Sequence, residues 1–248
     1  MLNRLVAAVG LACAAAAATA ADVTISAAAS LNNAFRELAG AWETAHPGDK
    51  VLLNFAASDT LVQQAAKGAP VDVLATADED SMDKAEAQKL LAAGSRRVFA
   101  RNSLVLIAPS ASMLAVRELN ELRQPAVRRL ATGNPASVPV GRYTREALEK
   151  AGVWAGIEDR FVFAASVRQG LDYVARGEVD VGFVYATDVA AQVGKVKVLM
   201  PVPTATPIRY PLAVLAAAPN AEGGRQFAAF VLSTQGQAIL AKYGFGRP

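Results

Sequence analysis

Small neutral residues recur where helices are predicted to begin. Ser30 and Ser58 each follow a run of alanines after a strand-like segment, and Val140 and Val167 stand in the first turns of two later helices. A first helical turn has backbone N–H groups without intrahelical acceptors and a partial positive charge, and serine adds a hydroxyl donor. Four such helix starts around one cleft could hold a small anion without lysine or arginine. The alternative for each serine is simple helix capping, its common role at this position.

The spacing of apolar residues predicts the elements that would position these donors. From Asp22 onward, short alternating runs are followed by runs with helical periodicity, and this order repeats along the chain. It predicts an α/β fold of mainly parallel sheets flanked by helices. Ser30 and Ser166 are predicted N-caps in this pattern. Because ligands of such sheets bind at the carboxyl ends of the strands, where the following helices begin, we expect the helix starts to converge.

The first twenty residues have the features of a secretory signal peptide. Arg4 precedes an apolar run too short to span a bilayer, and Ala18-Thr19-Ala20 provides an A-x-A cleavage signal. We therefore predict export to the periplasm and a mature chain that begins at Ala21. Cys13 is not expected to carry a lipid anchor, because glycine stands where a lipoprotein signal has a large aliphatic residue.

The remaining residues are numerous enough to build two lobes. Residues 21–104 together with 212–248 are predicted to form the first lobe, and residues 105–211 the second. Two extended runs, 103–109 and 208–214, stand where the strand–helix units change character. We expect these runs to cross between the lobes.

Composition and motifs exclude several classes of function. Lys and Arg number 25 against 22 Asp and Glu, and the basic residues are scattered, so a nucleic-acid interface is not expected. His46 is the one histidine, which excludes a histidine-based metal cluster, and no phosphate-binding glycine loop is present. An exported enzyme using Tyr185 or Asp188 as acid or base is an alternative, but no nucleophile–base pair accompanies them.

The order of several short motifs resembles the periplasmic molybdate-binding proteins of ABC transporters. The matching segments are AAASL from Ala27, FAASDTL from Phe55, GNP from Gly133, VPVG from Val138, SVR from Ser166, VY from Val184 with Asp188, and KYGF from Lys242. The resemblance extends over essentially the whole mature chain. It implies a type II binding-protein fold, in which two α/β lobes joined by crossing strands close on the ligand.

The resemblance also implies a site and a function. The oxyanion would be held by Ser30 and Ser58 through side chains and amides, by the amides of Val140 and Val167, and by the hydroxyl of Tyr185. The ligand would be molybdate, and tungstate as its close analogue, delivered to a membrane permease without catalysis and without a further cofactor or metal. We expect a monomer. The alternative within the same class is another tetrahedral oxyanion, such as sulfate or phosphate.

One acidic residue departs from the family pattern. Asp59 stands after the second ligand serine, where the family often has another serine. A carboxylate in the cleft would repel a dianion and would suit a protonated oxyanion such as hydrogen phosphate, which can donate a hydrogen bond to it. We expect Asp59 to point away and to favour its helix N-terminus, and we expect the same limited role for the acidic helix start at Asp78.

Overall fold

The computed structural model describes residues 22–248, and these form two five-stranded sheets. The strands of the first sheet stand in the order β2-β1-β3-β10-β4. Their bounds are β1 Val23–Ala28, β2 Val51–Ala56, β3 Val73–Ala75, β4 Arg97–Asn102 and β10 Ile208–Val214. The predicted signal peptide and Cys13 lie outside the described residues.

The second sheet has the same plan with the order β7-β6-β8-β5-β9. Its strands are β5 Leu104–Pro109, β6 Leu130–Gly133, β7 Phe161–Ala164, β8 Val181–Tyr185 and β9 Val196–Val202. In each sheet one strand, β10 or β5, runs against the others and pairs antiparallel with both neighbours. The two-lobe α/β fold is thus confirmed. Most strands share one direction, but half of the pairings between neighbours are antiparallel.

The chain passes between the sheets twice. Ser103 separates β4 in the first sheet from β5 in the second, and residues 203–207 separate β9 from β10. Each passage leads into the strand that runs against the rest of its sheet. The runs 103–109 and 208–214, expected to cross, therefore coincide largely with β5 and β10, and the changes of sheet occur just before these two strands.

Seven α-helices flank the sheets in the described part of the chain. They are α1 Asn32–Ala45, α2 Ser58–Ala66, α3 Glu79–Ala87, α4 Pro139–Lys150, α5 Val167–Ala175, α6 Ala221–Leu232 and α7 Thr234–Lys242. Helix α1 shows why they form here: Phe35, Leu38 and Trp42 repeat at helical spacing and are buried. The Phe35 ring packs edge-on against Phe99 with centroids 5.8 Å apart. Within residues 22–248 no helix is long and apolar enough to cross a membrane.

Candidate functional site

Strand register brings the two predicted serines together. In the parallel pair β1–β2, Ala28 lies opposite Ala56, so both strands end at the same edge of the sheet. Ser30 and Ser58 each follow two residues later, at the start of the next helical segment. Parallel pairing thus brings the hydroxyl groups of the two repeated motifs close together.

The second sheet supplies the facing donors in the same way. Strands β6 and β7 end together at the pair Gly133 and Ala164, and β8 ends at Tyr185. The helices that follow β6 and β7 begin with Pro139 and Val167. All five residues expected to bind the ligand line a single small cavity: Ser30, Ser58, Val140, Val167 and Tyr185. Every residue that lines it is uncharged, the others being alanine, valine or proline.

The serines differ from the predicted helix caps in a way that matters for the cavity. The prediction that Ser30 is an N-cap is wrong. A short 3-10 helix, Ala29–Leu31, comes before α1, and the N-cap of this short helix is Ala28. Ser58 is the first residue of α2, where Ala57 is the N-cap. Only Ser166 caps its helix as predicted, since its Oγ accepts from the Gln169 amide at 3.2 Å. The hydroxyls of Ser30 and Ser58 therefore make no capping hydrogen bond to their own helices.

The hydroxyl groups of Ser58 and Tyr185 each have a proton available to the cavity. Ser58 Oγ accepts from the Ala77 amide at 3.0 Å, so its own proton is free to point elsewhere. Tyr185 is 1% exposed, and its hydroxyl has no hydrogen-bond partner among residues 22–248. Burial raises the pKa of Tyr185 well above its usual value, so the hydroxyl keeps its proton and remains a donor. A buried hydroxyl without a partner is costly, which favours a site that is completed by a ligand.

Backbone donors come from the first turns of α4 and α5. Pro139 opens α4, and its missing N–H costs nothing there. The amides of Val140 and Val167 belong to first turns, which have no intrahelical acceptors. A close approach holds α4 in place: a Cβ on Gly141 would lie 2.0 Å from the carbonyl oxygen of Gly133. Glycine at position 141 is therefore required for the start of α4 to reach the cavity.

Asp59 points away from the cavity, as expected, but its partners were not predicted. Its carboxylate receives hydrogen bonds from Ser81 Oγ and Lys84 Nζ, each at 2.7 Å, and from Arg142 of α4 at 3.1 and 3.2 Å. Arg142 also binds Asp78 Oδ2 through Nη2 at 2.5 Å. Asp78 was expected to serve only its own helix. It does cap α3, and it also forms an ion pair with Arg142 that links the two sheets.

The environment of these carboxylates explains their pKa values. Burial disfavours the charged form of Asp59, but hydrogen bonds from Lys84 and Ser81 and the charge of Arg142 outweigh it and lower its pKa. Asp78 is more deeply buried, and burial raises its pKa despite the Arg142 charge. Arg142 is accordingly matched by acidic neighbours and does not bring an excess positive charge to the cavity.

A second arginine joins the halves on the other side of the cavity. Arg168, in the first turn of α5, donates to Asn33 Oδ1 at 3.0 Å and to the backbone oxygen of Ser30 at 3.3 Å. Its Nε lies 2.7 Å from Asp188 Oδ1. Asp188 is fully buried, and burial raises its pKa to about 6 even though the charge of Arg168 acts to lower it. Asp188 therefore has a structural partner and does not line the cavity.

Comparison with known families identifies the class of protein. The family model described as bacterial extracellular solute-binding protein matches residues 23–246. The chain is a bacterial extracellular solute-binding protein. Solute-binding proteins are transport components and not enzymes, which confirms the expectation that this chain does not catalyse a reaction and removes the acid–base interpretation of Tyr185 and Asp188.

Named relatives match this solute-binding protein over most of its length. The molybdate-binding protein ModA of Escherichia coli is 35% identical over 228 residues, covering 90% of this chain and 88% of the relative. The molybdate-binding protein ModA of Haemophilus influenzae is 33% identical over 234 residues, covering 92% and 91%. The family resemblance seen in the sequence motifs is thereby confirmed.

Solved structures confirm the fold of the solute-binding protein. The periplasmic molybdate-binding protein of Azotobacter vinelandii matches with a TM-score of 0.81 and 26% identity, covering 91% of this chain and 99% of that chain. The sulfate-binding protein SubI of Mycobacterium tuberculosis matches with a TM-score of 0.80 and 20% identity, covering 90% and 86%. At the lower identity the likeness concerns the fold alone, so the choice of oxyanion must be argued from the cavity.

Proposed function

We propose that this solute-binding protein captures molybdate, and tungstate as its close analogue, and delivers it to an ABC permease in the membrane. The observation that supports this most directly is the chemistry of the cavity lining. Three hydroxyl-bearing residues, Ser30, Ser58 and Tyr185, meet two first-turn amides, and no charged side chain lines the space. A fully deprotonated tetrahedral dianion matches such a set of donors.

Neutral donors are strong enough for this task. A hydrogen bond to a charged group contributes about 1.5–3 kcal/mol, and a favourable helix N-terminus about 0.3–1 kcal/mol, rising to about 2 kcal/mol when partly buried. Several of each around one dianion reach the range of micromolar or tighter binding, about 8 kcal/mol or more. Arg142 and Arg168 stabilise the contact between the halves, and their charges are matched by carboxylates.

The position of Asp59 argues against a protonated oxyanion. Hydrogen phosphate carries an O–H that needs an acceptor, and the nearest candidate from the sequence, Asp59, is held by Arg142, Lys84 and Ser81 instead. An O–H left without an acceptor in a buried site costs about 1–3 kcal/mol. Sulfate has the charge and shape of molybdate but is smaller, so its exclusion would depend on cavity size. Sulfate binding is the alternative that the experiment must address.

The remaining expectations complete the proposal. Residues 1–20 would direct export and be removed in the periplasm, with Cys13 leaving in that segment and no lipid anchor remaining. The two lobes would close on the oxyanion, and the protein would act as a monomer with no cofactor beyond its ligand. Five residues would form the site: Ser30, Ser58, Val140, Val167 and Tyr185.

Calorimetry combined with thermal unfolding tests the proposal. Molybdate and tungstate should bind in the micromolar range or tighter and raise the melting temperature, because ligand binds the folded form only. Replacing both Ser30 and Ser58 by alanine should abolish most of that rise, whereas Val140→Ala should keep it because that residue offers its amide. Absence of molybdate binding would overturn the proposal, and displacement of molybdate by equimolar sulfate would change the assigned ligand.

A further inference from the structure

Two side chains outside the cavity lining are linked to the hydroxyl of Ser30 by hydrogen bonds. Tyr210 Oη lies 3.0 Å from Ser30 Oγ, and Asn102 Nδ2 lies 3.1 Å from the same Tyr210 oxygen. Tyr210 is fully buried in β10, and Asn102 is the last residue of β4. The three side chains form a chain of hydrogen bonds that leads from the strands next to the sheet crossings to the cavity.

The direction of this chain follows from the chemistry of its first member. Asn102 Oδ1 accepts from the Ser103 amide at 2.9 Å, which fixes the orientation of the side-chain amide. Its Nδ2 can only donate, and it does so to Thr187 Oγ1 at 2.8 Å and to Tyr210 Oη. The Tyr210 oxygen is therefore an acceptor toward Asn102.

The single proton of Tyr210 then has one place to go. Burial raises the pKa of Tyr210 well above its usual value, so the hydroxyl stays protonated. Asn102 Nδ2 cannot accept a hydrogen bond, so the proton is donated to the other partner of this hydroxyl, Ser30 Oγ. Ser30 receives that hydrogen bond, and its own O–H is left to turn toward the cavity that it lines.

We propose that Asn102 and Tyr210 are positioning residues that fix Ser30 as a hydrogen-bond donor toward the bound oxyanion and so disfavour oxyanions that carry a proton. This inference rests on the proposed oxyanion-binding function. We call the hydrogen-bonded series Asn102–Tyr210–Ser30 the relay. It makes Ser30 resemble Ser58, whose oxygen accepts from the Ala77 amide and whose proton is likewise left to point toward the cavity. Selectivity then depends on hydrogen-bond direction as well as on cavity size.

The substitution Asn102→Asp reverses the relay with almost no change in size. A carboxylate oxygen at the former Nδ2 position accepts from Tyr210, so Tyr210 has no proton left for Ser30. The hydrogen bond between Ser30 and Tyr210 then persists only with Ser30 as the donor, which leaves a serine lone pair facing the cavity. We expect molybdate affinity to fall by about tenfold or more, the loss of a hydrogen bond to a charged group, and phosphate binding to gain relative to molybdate.

A charge at position 102 would also repel a dianion, so the same substitution is made in a Tyr210→Phe background. There the added charge remains but no hydroxyl connects it to Ser30. Calorimetry of molybdate and phosphate with the native protein, both single variants and the double variant gives a complete cycle. The relay predicts that the ratio of phosphate to molybdate affinity rises at least about tenfold more for Asn102→Asp in the native background than in Tyr210→Phe.

The outcomes separate the two proposals. An equal change in that ratio in both backgrounds, with native molybdate binding intact, would overturn the relay while leaving the proposed function standing. A native protein that binds no molybdate would overturn the proposed function and the relay with it. Because Tyr210→Phe removes one buried hydroxyl and keeps the ring, melting curves of all four proteins verify that each is folded.

Discussion

The hydroxyl of Tyr185 offers a test in which affinity and stability respond differently. It is buried without a partner, a condition that costs about 1–3 kcal/mol when a donor is removed from water. With a dianion in the cavity the same group would contribute about 1.5–3 kcal/mol as a charge-assisted hydrogen bond. The substitution Tyr185→Phe keeps the ring and removes only this hydroxyl. We therefore expect molybdate affinity to fall by about 10- to 150-fold while the unfolding free energy of the ligand-free protein does not fall.

Calorimetry and urea denaturation measure the two quantities on the same samples. Tyr173→Phe is a suitable control, since Tyr173 lies partly exposed on α5 and does not line the cavity. It should bind molybdate like the native protein. The reasoning is refuted if Tyr185→Phe binds molybdate within about threefold of native affinity, because a donor worth about 1.5 kcal/mol or more would change it by at least tenfold. A large loss of ligand-free stability would refute the view that the hydroxyl waits for a ligand.

Three further substitutions test other parts of the site. Arg142→Gln removes the ion pairs from Arg142 to Asp59 and Asp78 that join the two halves, so molybdate should dissociate about tenfold faster in stopped-flow fluorescence. The control Arg145→Gln changes an exposed arginine, and its dissociation rate should stay within about twofold of the native rate. Equal dissociation rates for the two variants would contradict a role of Arg142 in closure. Gly141→Ala forces a Cβ against the carbonyl oxygen of Gly133, so both the melting temperature and molybdate affinity should fall; unchanged affinity in calorimetry would show that the start of α4 does not contact the ligand. Burial raises the pKa of Asp188 to about 6, so the folded protein holds this proton where the unfolded chain has lost it, and ionisation between about pH 4 and 6 costs stability. The unfolding free energy of the native protein minus that of Asp188→Asn should fall by up to about 3 kcal/mol across this window and stay level above it; a difference independent of pH would argue against burial of the carboxyl.

Local pattern predicts the four helix starts that reach the cavity, whereas Tyr185 follows only from the family resemblance. Ser30 and Ser58 follow strands that pair in parallel and in register, so the same local order places both at one edge of the sheet. Val140 and Val167 follow two neighbouring strands of the second sheet for the same reason. Strand–turn–helix units are encoded over a few residues, and the general rule for α/β sheets places the carboxyl ends of parallel strands at one edge.

Features that depend on tertiary contacts were not predictable in this way. Arg142 meets Asp78 and Asp59 across 64 and 83 positions of sequence, so an acidic helix start that looks purely local is also an inter-sheet ion pair. The hydrogen bond from Asn102 to Tyr210 joins strands 108 positions apart. Ser30 does not cap α1 because the 3-10 helix Ala29–Leu31 precedes it, and the spacing of apolar residues does not distinguish that helix from the start of α1. Hydrogen-bond direction, which decides what the cavity accepts, appears only once these partners are in place.

The position of the metal atom in crystals grown with molybdate tests the central claim most directly. Anomalous scattering should show one strong peak inside the cavity, with molybdate oxygens about 3 Å from the hydroxyls of Ser30, Ser58 and Tyr185 and from the amides of Val140 and Val167. A peak outside this cavity, or a molybdate whose oxygens are held by arginine side chains instead of these neutral donors, would contradict the account.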